Sequence, residues 1–248
     1  MCIRDRFQSN KCASCIFEPI YFAFPSSIVF GMPVWEFQGR MGSRMAELFR
    51  PKLEGLLKQY RRDQIVISPI PDTAMNATRA FCRELGAEDL YDEVIIRSHY
   101  AGRTFINAEQ LVRDLKVKLK FSFIKKKIKG KVVIILDDSI VRGSTLRKIV
   151  EILKKLGALA VYVVIYSPQI TGSCFMGIDT PTRKELVANA KGEPDKVARY
   201  LKADCLLHCR VTDLKDVVYS FGKDPNDFCY ACFNRRYALR VPKEVRKE

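Results

Sequence analysis

Lys131-Val-Val-Ile-Ile-Leu-Asp-Asp-Ser-Ile-Val-Arg-Gly-Ser-Thr145 is the stretch that decides the fold. Its apolar run, Val132 to Leu136, ends abruptly in two carboxylates, Asp137 and Asp138. A turn containing Gly, Ser and Thr follows, and then the amphipathic run Leu146-Arg-Lys-Ile-Val-Glu-Ile-Leu153. A short unbroken apolar run of this kind predicts a strand buried on both faces of a parallel sheet. The turn predicts a phosphate-sized loop and a helix start, with Ser144 and Thr145 placed to cap the helix. The free N–H groups of that helix start form an anion site. Asp137 and Asp138 fall at the strand's carboxyl end, where open α/β sheets place their ligands. One loop therefore offers donors to a phosphate and acceptors to hydroxyls or a cation. Taken alone, the Asp-Asp pair is also compatible with an ordinary acidic loop ahead of a helix.

Working outward, strand and helix signals alternate. Residues 36–60 read as an amphipathic helical region broken at Pro51, where a second helix starts. Gln64 to Ser68 reads as a short strand, Pro69-Ile-Pro-Asp-Thr73 as a tight turn presenting Asp72 and Thr73, and a helix follows to Leu85, stopped by Gly86. Val94 to Ile96 reads as the next strand; Gly157 ends the helix after the opening motif, and a strand spans Ala158 to Tyr166. Thr182-Arg-Lys-Glu185 has the pattern of a capping box opening another helix. This alternation predicts an α/β domain with a mostly parallel, doubly wound sheet and flanking helices.

At 248 residues, 48% hydrophobic and 29% charged, the chain can bury a substantial core. No apolar run approaches the ~20 residues of a membrane span. The net charge of +15 suits nucleic acid, but equally a polyanionic small substrate. Much of that charge lies in Lys116 to Lys131, read as a solvated surface connector, and in the tail Arg235 to Lys247. Residues 1–11 lack the charged and apolar regions of a signal peptide and read as a non-native or fragmentary N-terminus. The main domain is expected over residues 12–237, with a basic tail at 238–248.

Asp-Asp-Ser-Ile-Val-Arg-Gly-Ser-Thr (137–145) resembles the phosphoribosyl pyrophosphate (PRPP) loop of type I phosphoribosyltransferases, and more narrowly that of the amidophosphoribosyltransferases. The resemblance implies that Asp137 and Asp138 hold the ribose hydroxyls and a magnesium site, while Arg142 to Thr145 cradle the 5′-phosphate and Ser139 is a further substrate contact. Thr73 would add a hydroxyl to the magnesium site. Arg97-Ser-His-Tyr-Ala-Gly-Arg-Thr-Phe-Ile106 resembles the family's loop that closes over PRPP and pyrophosphate. It places Arg97 and Arg103 on the phosphates, with Tyr100, Gly102 and Thr104 as further contacts. Ser98 and His99 stand where the family carries Asn-Arg. Cys15-Ile-Phe-Glu-Pro-Ile-Tyr-Phe-Ala-Phe-Pro-Ser-Ser27 is similar to a third family segment, with Phe24 for an Arg and Ser26 for an Asp.

Nine cysteines in a chain of this size, without a secretory signal, are expected to stay reduced. Cys82, Cys205 and Cys209 read as small buried hydrophobes. Cys229-Tyr-Ala-Cys232 can serve metal or redox chemistry. In one branch of the resembled family these two, with Cys15 and Cys174, correspond to the ligands of a 4Fe-4S cluster; structural zinc and free thiols are the alternatives. Cys12 lies three before Cys15 but outside the matching context. Cys2 occupies the place of the family's N-terminal glutaminase nucleophile, yet Ile3 replaces the following glycine and no glutaminase domain follows, so it is not expected to be catalytic.

The resemblance covers residues 15–233 and implies transfer of phosphoribose from PRPP to ammonia, the first step of de novo purine synthesis, in a cytoplasmic homo-oligomer with neither membrane nor nucleic-acid partners. A PRPP-sensing, DNA-binding regulator is the alternative from another class; it would carry a helix-turn-helix segment, which the first 60 residues do not display. A salvage phosphoribosyltransferase acting on a base is the third reading, disfavoured by the four-cysteine set.

Overall fold

The computed structural model describes residues 13–98, 120–239 and 241. In chain order its elements begin with β1 (Ser14–Cys15), a π-helical turn (Glu18–Phe22), a hairpin of β2 (Ile28–Val29) and β3 (Met32–Pro33), then α1 (Val34–Gln59), β4 (Ile65–Pro69) and α2 (Met75–Leu85). There follow β5 (Ile95–Arg97), β6 (Phe121–Phe123), α3 (Lys125–Ile128), β7 (Val132–Asp137), α4 (Ser144–Lys155) and β8 (Ala160–Ile165). The C-terminal part adds α5 (Val187–Lys191), α6 (Pro194–Leu201), β9 (Cys205–His208), α7 (Val211–Tyr219), β10 (Phe228–Cys229) and α8 (Ala231–Asn234).

The core is a four-stranded parallel sheet in the order β4-β7-β8-β9. The opening motif forms β7, and its alternation explains the layers. Val132, Ile134 and Leu136 face a core that includes α1, α2 and α7, whereas Val133 and Ile135 face one that includes α4 and α6. All five are buried, so the strand is apolar on both sides, as its unbroken run predicted. Each such side chain contributes roughly 1.5–3 kcal/mol by leaving water.

The topology fixes where a ligand goes. After β4 the chain runs through α2 to one side of the sheet, where Tyr91 bridges in parallel to Ile67. It then returns past β5, β6 and α3 to the opposite side of β4 as β7. The switch point therefore lies between the carboxyl ends of β4 and β7, where Pro69 pairs with Leu136.

Three sequence expectations change. α1 runs unbroken for 26 residues, with Pro51 inside it rather than starting a second helix. Pro51 and the carbonyl-bearing Glu47 are both exposed, so water meets the group that Pro51 leaves unpaired. Met41, Met45, Phe49, Leu53 and Leu56 stay buried on one face across the proline, and that packing holds the helix together. α1 also approaches α2 so closely that a Cβ on Gly42 would collide with the Ala77 carbonyl oxygen at 2.0 Å. Second, the strand after α2 does not join the parallel sheet: β5 pairs antiparallel with β6 in a separate ribbon. Third, the basic stretch is no simple connector, since its described part contains β6 and α3 and buries Phe121 and Ile128. No helix among the described residues is long and apolar enough to cross a membrane.

Candidate functional site

A cavity of about 650 Å³ opens over the switch point. Thr73 reaches it from the turn after β4, Asp137 and Asp138 from the end of β7, and Ser139, Arg142, Gly143, Ser144 and Thr145 from the loop into α4. Arg97, at the end of β5, lines the same cavity.

The carboxylates are the electrostatic centre. Thr73 Oγ1 donates to Asp138 Oδ2 at 2.5 Å, and Ser139 Oγ donates to Asp138 Oδ1 at 2.5 Å. Asp137 Oδ1 accepts from the Asp138 N–H at 3.0 Å. Burial, then the neighbouring Asp138 charge, pushes the Asp137 carboxyl well above the ordinary carboxylate range. Burial raises Asp138 too, against the opposing pull of its hydroxyl donors. Two adjacent carboxylates held largely out of water form a strong demand for a cation or for hydroxyl donors. Tyr166, fully buried at the end of β8, stands behind them; its hydroxyl lies 3.3 Å from the carbonyls of both Thr73 and Ile20.

The anion side is equally built. Gly143, not Ser144 or Thr145, is the N-cap of α4, and no side chain caps the helix. This corrects the expected cap and has a chemical consequence: the first-turn N–H groups are left for a ligand rather than spent on a hydroxyl. Gly143 has φ +72, and a Cβ there would meet Leu201 Cδ2 at 3.2 Å. The turn thus needs glycine for its backbone and for its close packing.

The two expected site arginines that fall among the described residues, Arg97 and Arg142, have carboxylate partners. Arg97 pairs with Asp72, and Arg142 donates to Glu185 Oε1 through Nε at 3.2 Å and Nη2 at 3.1 Å. Both pairs are about half exposed, and the Arg97 pair, made through a single nitrogen, is weak enough to rearrange around a phosphate. Tyr100, Gly102, Arg103 and Thr104, with His99, lie outside the described residues.

The four matched cysteines line the other wall of the same cavity. β1 pairs with β10 so that Cys15 stands opposite Cys229, while Cys232 follows on α8 and Cys174 on the loop after β8. Burial, followed by the charges of Cys15, Cys229 and Cys174, drives the Cys232 thiol far up, so the four share one electrostatic neighbourhood. Backbone donors point at the sulfurs: the Met176 N–H donates to Cys174 Sγ at 3.4 Å, and the backbone of Phe17 and Glu18 opposes the burial that raises Cys15. Among the described residues, no group of three or more His, Cys, Asp and Glu converges closely enough to hold one metal ion. Cys82 and Cys209 are buried as expected, but Cys205 is only half-buried on the edge strand β9.

Sequence reasoning missed three residues here. Lys120 lines the cavity, and its charge opposes the rise of both aspartates. In sequence it belongs to the charge run at Lys116 to Lys131. Tyr166 carried only the signal of an aromatic ending a strand, and Glu185 only that of a capping box.

Comparison with known proteins agrees with this geometry. Residues 45–172 match the family described as Phosphoribosyl transferase domain. Amidophosphoribosyltransferase 1, chloroplastic, of Arabidopsis thaliana is 37% identical over 245 residues, which cover 99% of this chain and 40% of that protein. The amidophosphoribosyltransferase of Methanocaldococcus jannaschii is 37% identical over 229 residues, covering 92% of this chain and 45% of that protein. The chain therefore spans less than half the length of these curated relatives. Among solved structures, the B. subtilis glutamine PRPP amidotransferase complexed with ADP and GMP aligns with a TM-score of 0.79 at 30% identity, over 97% of this chain and 50% of that one. A structure described as the allosteric regulatory enzyme of purine biosynthesis aligns with a TM-score of 0.80, also at 30% identity, over 97% of this chain and 49% of that one. With the carboxylate pair, the uncapped helix start and the matching sequence all on one parallel sheet, the chain belongs to the phosphoribosyl transferase domain family and has its type I fold.

Proposed function

We propose that this chain transfers phosphoribose from PRPP to ammonia, giving 5-phosphoribosylamine and pyrophosphate, as the phosphoribosyl-transferring part of an amidophosphoribosyltransferase at the first step of de novo purine synthesis. The observation that carries this is the meeting of Thr73, Asp137 and Asp138 with the uncapped start of α4 in one cavity. In the reaction, the ammonia nitrogen forms a bond to C1 of the ribose as the bond from C1 to the pyrophosphate oxygen breaks. The amine sheds its extra proton to solvent. Asp137 and Asp138 hold the ribose hydroxyls, and Arg142 to Thr145 hold the 5′-phosphate by backbone N–H groups, hydroxyls and the guanidinium, with Ser139 as a further substrate contact. Arg97 meets the pyrophosphate. Ammonia brings its own lone pair, so the site needs to orient, neutralise and exclude water rather than supply a strong base.

Thr73, Asp137 and Asp138 are the residues that would hold magnesium; their buried, cation-seeking carboxylates fit it. When bound, the metal would offset the charge of the departing pyrophosphate. Cys15, Cys174, Cys229 and Cys232 would hold a 4Fe-4S cluster. The backbone donors at the sulfurs of Cys174 and Cys15 suit such a cluster. A glutaminase partner domain, homo-oligomer assembly and a cytoplasmic site belong to the same reading.

The test is pyrophosphate release from PRPP with ammonium or glutamine as nitrogen donor. Ammonium-dependent turnover supports the proposal. Turnover with a purine base alone would favour a salvage transferase, and absence of turnover with tight operator-DNA binding would favour a regulator.

A further inference from the structure

The Thr182–Glu185 box lies outside the residues assigned to the cavity. It closes a three-residue turn (Arg183–Glu185) instead of opening a long helix. Glu185 Oε2 accepts from the Thr182 N–H at 3.0 Å and from Thr182 Oγ1 at 2.7 Å, while Oε1 accepts from Nε and Nη2 of Arg142. One carboxylate is thus anchored on its own turn and reaches across to the phosphate loop with its second oxygen.

The same segment braces that loop by two further contacts. The Val187 N–H donates to the Val141 carbonyl at 2.9 Å, one residue before Arg142. The bare Cα of Gly143 fits against Val187, Tyr200 and Leu201, leaving 3.2–3.4 Å for any added Cβ. The brace is itself tied back, because Asn189 Nδ2 donates to the Thr171 carbonyl at 2.8 Å and to the Arg183 carbonyl at 3.1 Å. Glu185 is therefore no isolated surface partner of Arg142. It belongs to a platform, residues 182–201, on which the phosphate loop rests.

We propose that Glu185 is a positioning residue for PRPP, holding the Arg142 guanidinium in place so that the arginine meets the 5′-phosphate already oriented. This rests on the reading that the cavity binds PRPP. A free arginine gives up rotamer freedom when it clamps an anion, and one pinned beforehand does not. Arg142 spends Nε and Nη2 on Glu185, and of its five N–H donors the rest remain for the phosphate. The carboxylate does not simply oppose the incoming anion, because the Arg142 guanidinium balances its charge and Thr182 donates two hydrogen bonds to its other oxygen.

Glu185→Gln separates positioning from capping. Its amide oxygen can stay on the Thr182 N–H, but the NH2 group that then faces Arg142 cannot accept a hydrogen bond. With ammonium as donor, the KM for PRPP is expected to rise about five- to tenfold while kcat stays within about twofold, since the phosphate contact is made equally in ground and transition states. Melting temperature should barely move, because the pair is exposed. Glu185→Ala should raise KM alike, and in an Arg142→Ala background neither change should add to the defect. An unchanged or lowered KM in Glu185→Gln, or an equal rise without Arg142, overturns the inference while wild-type turnover leaves the functional reading standing. Wild-type protein that neither turns over nor binds PRPP by calorimetry overturns both.

Discussion

Thr73 donates its hydroxyl to Asp138 at 2.5 Å and so joins the turn after β4 to the end of β7 across the sheet's switch point. The bond holds a buried carboxylate toward its charged form, the form a cation needs. Thr73→Val keeps the shape and removes the donor. Pyrophosphate release by this variant is expected to need about ten times more magnesium for half-maximal rate, in the range seen when groups orienting a metal ligand are lost. An unchanged magnesium titration would remove Thr73 from the metal site.

Gly143→Ala tests the phosphate loop. At φ +72 an alanine strains the backbone by about 1–2 kcal/mol, and its methyl presses on Leu201 and Val187. The expected outcome is a PRPP affinity lowered about tenfold, with a chemical-denaturation midpoint that falls in step with that strain. Affinity equal to wild type would mean that the loop does not carry the phosphate.

The difference between what the sequence made legible and what it hid is physical. β7 was readable because burial on both faces demands an unbroken apolar run, and the Asp-Asp-loop-helix order follows from where parallel sheets put their ligands. Thr73 and the cysteines were found through local strings, which survive without knowledge of the fold. Pro51 misled because the local rule against proline in a helix was overridden by distant packing. Lys120 and Glu185 stayed hidden for the opposite reason. Each looks like a solvated charge or a cap in its own segment, and acquires its role only when the residue before β6 reaches the cavity wall and the 182–201 platform folds against the phosphate loop.

The cysteine wall predicts a selective loss of metal. Protein purified without oxygen should contain iron and acid-labile sulfide in equal amounts, with the broad visible absorption of a cluster. Cys232→Ser, on the cavity wall, should abolish both, whereas Cys82→Ser, buried on α2, should keep them. Wild-type protein lacking iron and sulfide, or Cys82→Ser losing them equally, would refute the assignment.

Asp213 offers a test of the scaffold that is independent of the ligand. Its fully buried side chain accepts from the Arg210 N–H, Nε and Nη2, each at 2.9 Å, and from Arg44 Nε at 3.1 Å and Nη2 at 2.8 Å. This ties the start of α7 to α1. Hydrogen bonding from Arg210, and then from Arg44, overcomes burial and lowers the carboxyl from 3.8 to about 2. A carboxyl lowered on folding stabilises the native state above its unfolded pKa and ceases to do so as pH falls through the folded one. The contribution should thus be complete above about pH 4 and fade toward pH 2. Solvent around the exposed Arg210 reduces it to about 2 kcal/mol at most. Asp213→Asn should therefore be less stable than wild type by about that amount in urea unfolding at pH 7, with the gap shrinking at pH 3 as wild type starts to lose its own bonus. A gap that stays constant between pH 7 and pH 3 would show that the carboxylate charge is not what joins the two helices.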